Sequence, residues 1–305
     1  MSAAVLKPPL APWPVEDLVC GYGARSGGWY EATGRLAGAA EGPAAIVLGG
    51  ISAGRRLLDD ADGPGWWPGV AGPGGALNPR TGRFLSLDFL GEAARPFPSV
   101  EDQADAALAL ADAAGLDRFT LVGASYGGMT ALAIAAAAPE RVIRADILCA
   151  AARPHPMATA WRAIQREIVH LGLETGRGAE ALDLARRLAM TTYRTPEEFA
   201  ARFDGPEAVQ SYLAARGGAW ARETRPERFL VLSQSMDAVD IAVEAIAVPV
   251  RFLAINSDRL VPPEDVEAAA ARMPRASITR IDSLYGHDGF LKETEAVNAF
   301  LRGDA

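Results

Sequence analysis

The chain has 305 residues, half of them hydrophobic and 22% charged, and its 38 acidic against 30 basic side chains give a formal net charge of −8. That length carries one large domain, or a domain with an inserted subdomain, and the composition is that of a globular protein with a sizeable core. The acidic balance and the scattered basic residues exclude a nucleic-acid surface, and no run approaches the ~20 apolar residues that span a bilayer. Residues 1–15 carry prolines at 8, 9, 12 and 14 and lack the apolar core of a secretory signal. Two cysteines, Cys20 and Cys149, are too few for a disulfide framework, so a cytoplasmic location is expected.

In chain order, residues 17–21 and 29–36 predict an antiparallel pair at one sheet edge. Residues 44–48 predict a buried strand that runs into the glycine-rich loop Gly49–Gly50–Ile51–Ser52–Ala53–Gly54. Residues 63–75, with many Gly and Pro and with Trp66 and Trp67, predict a long ordered loop, and residues 83–88 a strand ending on an acidic residue. Residues 99–114 predict a helix: Ser99 caps it, Glu101 and Asp102 suit its positive end, and Gly115 stops it. A strand at 119–122 and a helix at 129–138 follow, then a strand at 147–150 in which Cys149 is buried.

From 153 to 246 the alternation breaks into helices at 157–170, 179–190, 196–203, 206–216 and 229–238, with no strand between them. Strands at 250–255 and 277–281 then resume, with helices at 263–273 and 291–301. Apolar strands alternating with helices predict an α/β protein whose mainly parallel sheet is covered on both faces. The expected division is a core of residues 1–152 and 247–305 and a helical lid of residues 153–246, over the C-terminal ends of the strands.

The densest chemical signal is Gly123–Ala124–Ser125–Tyr126–Gly127, a Gly-x-Ser-x-Gly between a strand and a helix. That context presents the serine hydroxyl on a strained turn at a helix N-terminus. A serine needs a base, and the base an orienting acid. Of the three histidines, His155 lies between prolines, His170 ends a predicted helix, and His287 follows the last strand between Gly286 and Gly289, so His287 is the candidate base. Asp258, after the strand at 250–255, is the candidate acid, ahead of Asp237 and Asp240 in the helical block and Asp282 beside the last strand. The order Ser125, Asp258, His287 is that of an α/β-hydrolase sheet. The expected oxyanion hole is the Tyr126 N–H with one from the loop after the first central strand, for which Ile51 is the candidate.

Several segments recur together in a familiar order: GASYGGM at 123–129, LARRLAMTTYRTPEEF at 184–199, QSYL at 210–213, MDAVD at 236–240, SDRLVPP at 257–263 and GHDGFL at 286–291. With them, residues 44–303 resemble the homoserine O-acyltransferases of the α/β-hydrolase superfamily, the acetyl- and succinyltransferases that open methionine biosynthesis. The resemblance implies ping-pong transfer from an acyl-CoA co-substrate through Ser125 to an amino-acid hydroxyl, with no permanently bound cofactor and no metal. It also implies that Arg186 and Asp288 hold the amino acid's carboxylate and ammonium, assisted by Tyr193, and that the chain is a homodimer through the helical lid. Arg166 is a further arginine without an assigned role. The loop GGISA at 49–53 and HPMATAWR at 155–162 resemble the succinyl-using branch. Arg55 and Arg56 suit a succinyl carboxylate, a CoA phosphate or plain solvation. Serine in place of homoserine, a plain esterase and a non-catalytic scaffold are the other readings.

Overall fold

The computed structural model describes residues 13–91 and 97–304. Within them one sheet is built from β1 (Val15–Gly23), β2 (Trp29–Gly38), β3 (Ala44–Leu48), β4 (Arg83–Asp88), β5 (Phe119–Ala124), β6 (Val142–Leu148), β7 (Val250–Ile255) and β8 (Ala276–Ile281). Their spatial order is β1-β2-β4-β3-β5-β6-β7-β8. β2 pairs antiparallel with β1 and β4, and the remaining neighbours are parallel. The central strands are apolar along their length because helices or loops cover both faces, and Ile46, Val47, Leu121, Val122, Phe252 and Leu253 are all buried. β1 is a sheet edge and leaves Val19 exposed.

The helices are α1 (Val100–Ala113), α2 (Tyr126–Ala137), α3 (Pro156–Glu174), α4 (Gly178–Tyr193), α5 (Pro196–Arg202), α6 (Pro206–Glu223), α7 (Pro226–Asp237), α8 (Pro263–Ala271), α9 (Gly289–Lys292) and α10 (Thr294–Arg302). α1 starts with a capping box: Ser99 Oγ accepts from the Asp102 N–H at 3.2 Å, and Asp102 Oδ2 accepts from the Ser99 N–H at 2.8 Å. α1, α2 and α8 bury Leu110, Leu132 and Val266 against one sheet face. On the other face Val297 and Phe300 of α10 pack with Trp67 of the long β3–β4 loop. Arg35 on β2 ties that loop to the sheet edge, buried in ion pairs with Asp60, Asp62 and Asp17. α3 to α7 lie between β6 and β7 in the chain, with no strand among them. No helix among the described residues is long and apolar enough to cross a membrane.

Several expected boundaries move, those of β6 and α6 for reasons of charge pairing and close helix approach. β6 begins at Val142, not 147, because Arg144 and Asp146 break its apolar run. Asp146 is buried all the same, since Arg144 and Arg251 both donate to it. Cys149 is buried as expected but lies just past the strand, with φ +50°. α6 continues to Glu223, because Gly217 is not a stop: a methyl group there would lie 1.8 Å from Asp183 Oδ1, so the glycine lets α6 approach α4. α3 runs on to Glu174 past His170, and the helix expected at 291–301 is split at Glu293 into α9 and α10.

Candidate active site

Ser125, Asp258 and His287 follow β5, β7 and β8, so the parallel sheet brings their three loops to one edge. Ser125 joins β5 to α2 with φ +55° and ψ −124°, a conformation that costs a non-glycine residue ~1–3 kcal/mol. The turn is held by its neighbours: the Ser125 N–H donates to Leu148 O and the Gly127 N–H to Gly49 O, both at 2.9 Å. Both flanking glycines are required by close backbone approach. A methyl group at 123 would lie 2.4 Å from Gly127 O, and one at 127 would lie 2.3 Å from Leu48 O.

His287 sits in a single 3-10 turn, Gly286–Asp288, where Gly286 adopts φ +57° and abuts the Tyr193 carbonyl. Its Nε2 is 2.9 Å from Ser125 Oγ and its Nδ1 is 2.7 Å from Asp258 Oδ2. Asp258 Oδ1 accepts from the N–H groups of Leu260 and Val261 at 2.8 and 2.9 Å, which fixes the carboxylate plane. Both side chains are buried. Burial alone pushes the imidazole pKa down, but the charge and hydrogen bond of Asp258, with the charge of Asp288, outweigh it and raise the pKa above 6.5. The competing acids are engaged elsewhere: Asp237 with Arg162 and Arg166, Asp240 with Arg153, and Asp282 with Asn256. His155 instead caps α3, its Nδ1 accepting from the Met157 N–H at 3.2 Å.

The loop after β3 lies directly over the serine, since a methyl group on Gly50 would be 3.7 Å from Ser125 Cβ. Among the described residues no protein oxygen accepts from the main-chain N–H of Tyr126 or Ile51. The Tyr126 ring is buried, and its hydroxyl is 2.6 Å from Ser235 Oγ. Arg55 pairs with Asp88 and Asp17, and Arg56 with Asp60; neither lines a cavity beside Ser125.

Ser125 and His287 open into a cavity of about 260 Å³ that also exposes Arg186, Tyr193, Asp288 and Lys292. The Arg186 guanidinium stacks 4.8 Å from the Trp220 ring and 5.5 Å from the Tyr193 ring. Among the described residues no carboxylate pairs with Arg186, Arg216 or Lys292, all three on this cavity. Asp288 is paired: Arg194 Nε donates to its Oδ2 at 2.8 Å. A smaller cavity of about 30 Å³ also touches Ser125, on the side of α3 and α7.

Residues 71–294 match the family described as the alpha/beta hydrolase fold. A homoserine O-succinyltransferase from Xanthomonas campestris pv. campestris is 41% identical over 281 residues, covering 87% of this chain and 76% of that protein. The chain belongs to the homoserine O-acyltransferases. A homoserine O-acetyltransferase from Thermus thermophilus is 34% identical over 270 residues, 78% of this chain and 71% of that protein. The crystal structure of homoserine O-acetyltransferase from Staphylococcus aureus, at 24% identity, matches with a TM-score of 0.83 over 96% of this chain and 95% of that one. The expected fold class therefore holds: this member of the homoserine O-acyltransferases has the α/β-hydrolase fold.

Two features of the site escape the sequence of this acyltransferase-family chain. Arg194 follows Tyr193 directly, yet its partner Asp288 is 94 residues away and no local pattern links them. The cluster of Arg162, Arg166 and Asp237 joins α3 to the end of α7 and faces the smaller cavity through Arg162. Charged residues spaced at helical intervals would ordinarily read as a solvated face, which hides them.

Proposed function

We propose that this chain transfers an acyl group from an acyl-CoA to the hydroxyl of L-homoserine through Ser125, with succinyl favoured over acetyl. One observation carries the reading: the Ser125–His287–Asp258 hydrogen-bond chain opens onto a cavity whose wall holds the Arg186 guanidinium, with which no carboxylate among the described residues pairs. Water needs no such receptor, whereas an amino-acid acceptor brings a carboxylate to it.

In the first half-reaction His287 Nε2 takes the Ser125 hydroxyl proton while Oγ attacks the thioester carbonyl. The oxyanion formed accepts from the Tyr126 and Ile51 N–H groups. The C–S bond then breaks, CoA thiolate takes the proton from His287, and an acyl ester remains on Ser125. In the second, His287 takes the homoserine hydroxyl proton, that oxygen attacks the ester, and the Ser125–O bond to the acyl carbon breaks as Oγ recovers the proton. Arg186 holds the homoserine carboxylate, with Tyr193 flanking it. Arg194 engages Oδ2 of Asp288 and leaves Oδ1 to accept from the ammonium group. Arg216 and Lys292 line the same cavity with no acidic partner among the described residues and suit the CoA phosphates.

This reading divides the chain into a core of residues 1–152 and 247–305 and a lid of residues 153–246. It requires acyl-CoA only as a co-substrate, with no resident cofactor or metal, and places a small-molecule enzyme of methionine biosynthesis in the cytoplasm. The test is thiol release from succinyl-CoA, which should depend on homoserine. Release that ignores the amino acid would leave a plain esterase, and a preference for serine would change the acceptor. Arg186→Ala should raise the KM for homoserine about 10- to 100-fold, the worth of a charge-assisted hydrogen bond, and move the KM for acyl-CoA less.

A homodimer through the helical block is part of the same proposal. α3 exposes Met157, Ile164 and Leu171 by 50, 54 and 62%, a seven-residue repeat on one helix face, and neighbouring α4 adds Leu184. Apolar side chains in a row at that spacing suit a second helix. Ile164→Glu combined with Leu171→Glu should halve the mass measured by light scattering. A wild type that already elutes as a monomer sinks the dimer.

A further inference from the structure

The smaller cavity beside Ser125 is built unlike a simple acetyl pocket. At about 30 Å³ it is a narrow recess that leaves no room for a long alkyl chain. Phe229 and Met236 give it apolar flanks, and α3 contributes Arg162 and Gln165. Both polar side chains are more than nine-tenths buried. Among the described residues the Gln165 amide makes no hydrogen bond to the protein, and its side chain lines the cavity. Arg162 and Arg166 share one carboxylate. Arg162 Nε is 2.7 Å from Asp237 Oδ1, and Arg166 Nη1 is 2.5 Å from Asp237 Oδ2. Two guanidinium groups on one carboxylate leave a net positive charge at the cavity wall, and the Arg162 charge is felt at His287, whose imidazole pKa it lowers.

We infer that this cavity is an acyl-tail subsite for a terminal carboxylate, in which an acyl group on Ser125 passes its methylenes between Phe229 and Met236 and sets its carboxylate against Arg162 and Gln165. The inference rests on the succinyl-transfer reading above and adds the side chains that receive the terminal carboxylate of a short dicarboxylic acyl group. A carboxylate satisfies both the orphaned amide and the surplus charge. An acetyl group leaves them unmet, and a pocket built to hydrogen-bond a ligand group discriminates against the analogue lacking it.

The experiment measures kcat/KM for succinyl-CoA and for acetyl-CoA, with homoserine saturating, in the wild type and in the Gln165→Leu, Gln165→Glu and Arg162→Gln variants. The wild type should prefer succinyl-CoA, and each variant should lower the succinyl-to-acetyl ratio by about 10- to 100-fold. Gln165→Glu should lower it most, because the new carboxylate competes for Arg162. Gln165 contacts no protein partner through its amide, so its variants keep the test intact if Arg162→Gln fails to fold. A ratio unmoved in the Gln165 variants, with both donors still turned over, overturns the subsite alone. A wild type that releases CoA from neither donor overturns the transfer reading and the subsite with it.

Discussion

Ser125→Ala is expected to slow CoA release by about 10⁴- to 10⁶-fold, the loss seen when a nucleophile that works with its base is removed. The size follows from geometry: Ser125 Oγ is the atom that His287 Nε2 addresses, at 2.9 Å. Water is no substitute, because the flanking contacts fix the attacking position on the turn itself. The fold should survive the change. The strained φ of +55° is imposed by the Ser125 N–H bond to Leu148 O and the Gly127 N–H bond to Gly49 O, and alanine keeps both. Mass spectrometry after mixing with succinyl-CoA alone should find one added succinyl group on the wild type and none on the variant. Substantial turnover by a correctly folded Ser125→Ala would remove Ser125 from the mechanism.

Parts of this site are legible in the sequence because the fold writes them locally. Gly123 and Gly127 are there because no side chain fits against the Gly127 and Leu48 carbonyls, so the motif reports backbone crowding as well as chemistry. Asp258 stands out because it follows the apolar buried strand β7, and His287 because it follows the last strand between two glycines. The same reasoning fails where polar residues are buried by pairing. Arg144 and Asp146 concealed the first five residues of β6, because Arg251, the second partner of Asp146, belongs to another strand. The helix expected to end at 216 runs on through Gly217, and what that glycine accommodates, Asp183, lies on a different helix. Arg162 gains its meaning only when α7 brings Asp237 to it across 75 residues, and the sharing of Asp288 with Arg194 is hidden in the same way. Local pattern reveals what the backbone demands. Charge compensation over long range becomes visible only after folding.

Asp258→Asn should lower kcat by about 10⁴-fold while preserving the fold, and here the reason is a tautomer. Asp258 Oδ1 is held by two N–H donors, from Leu260 and Val261. An asparagine must keep its oxygen there, because its NH₂ has nothing to offer those donors, so the amide nitrogen turns to His287. Where Asp258 Oδ2 accepts a hydrogen bond from the Nδ1–H, the asparagine NH₂ donates one to Nδ1 instead, and the imidazole proton is carried on Nε2. That nitrogen then faces Ser125 as a donor and cannot take the hydroxyl proton. The pH profile provides a second readout. In the wild type, kcat/KM should rise with pH as His287 loses its proton, on an acidic limb whose midpoint lies above 6.5. Without the Asp258 charge and hydrogen bond, the burial that already favours neutral imidazole is opposed chiefly by Asp288, and the limb should move to lower pH. Stability follows the same sign. A raised folded pKa stabilises the fold fully below ~6.5, and that contribution fades as pH climbs through the folded value. Melting temperatures of the variant should therefore fall most, relative to the wild type, at the acidic end of that window. An acidic limb that stayed in place in Asp258→Asn would mean that another group sets the His287 titration.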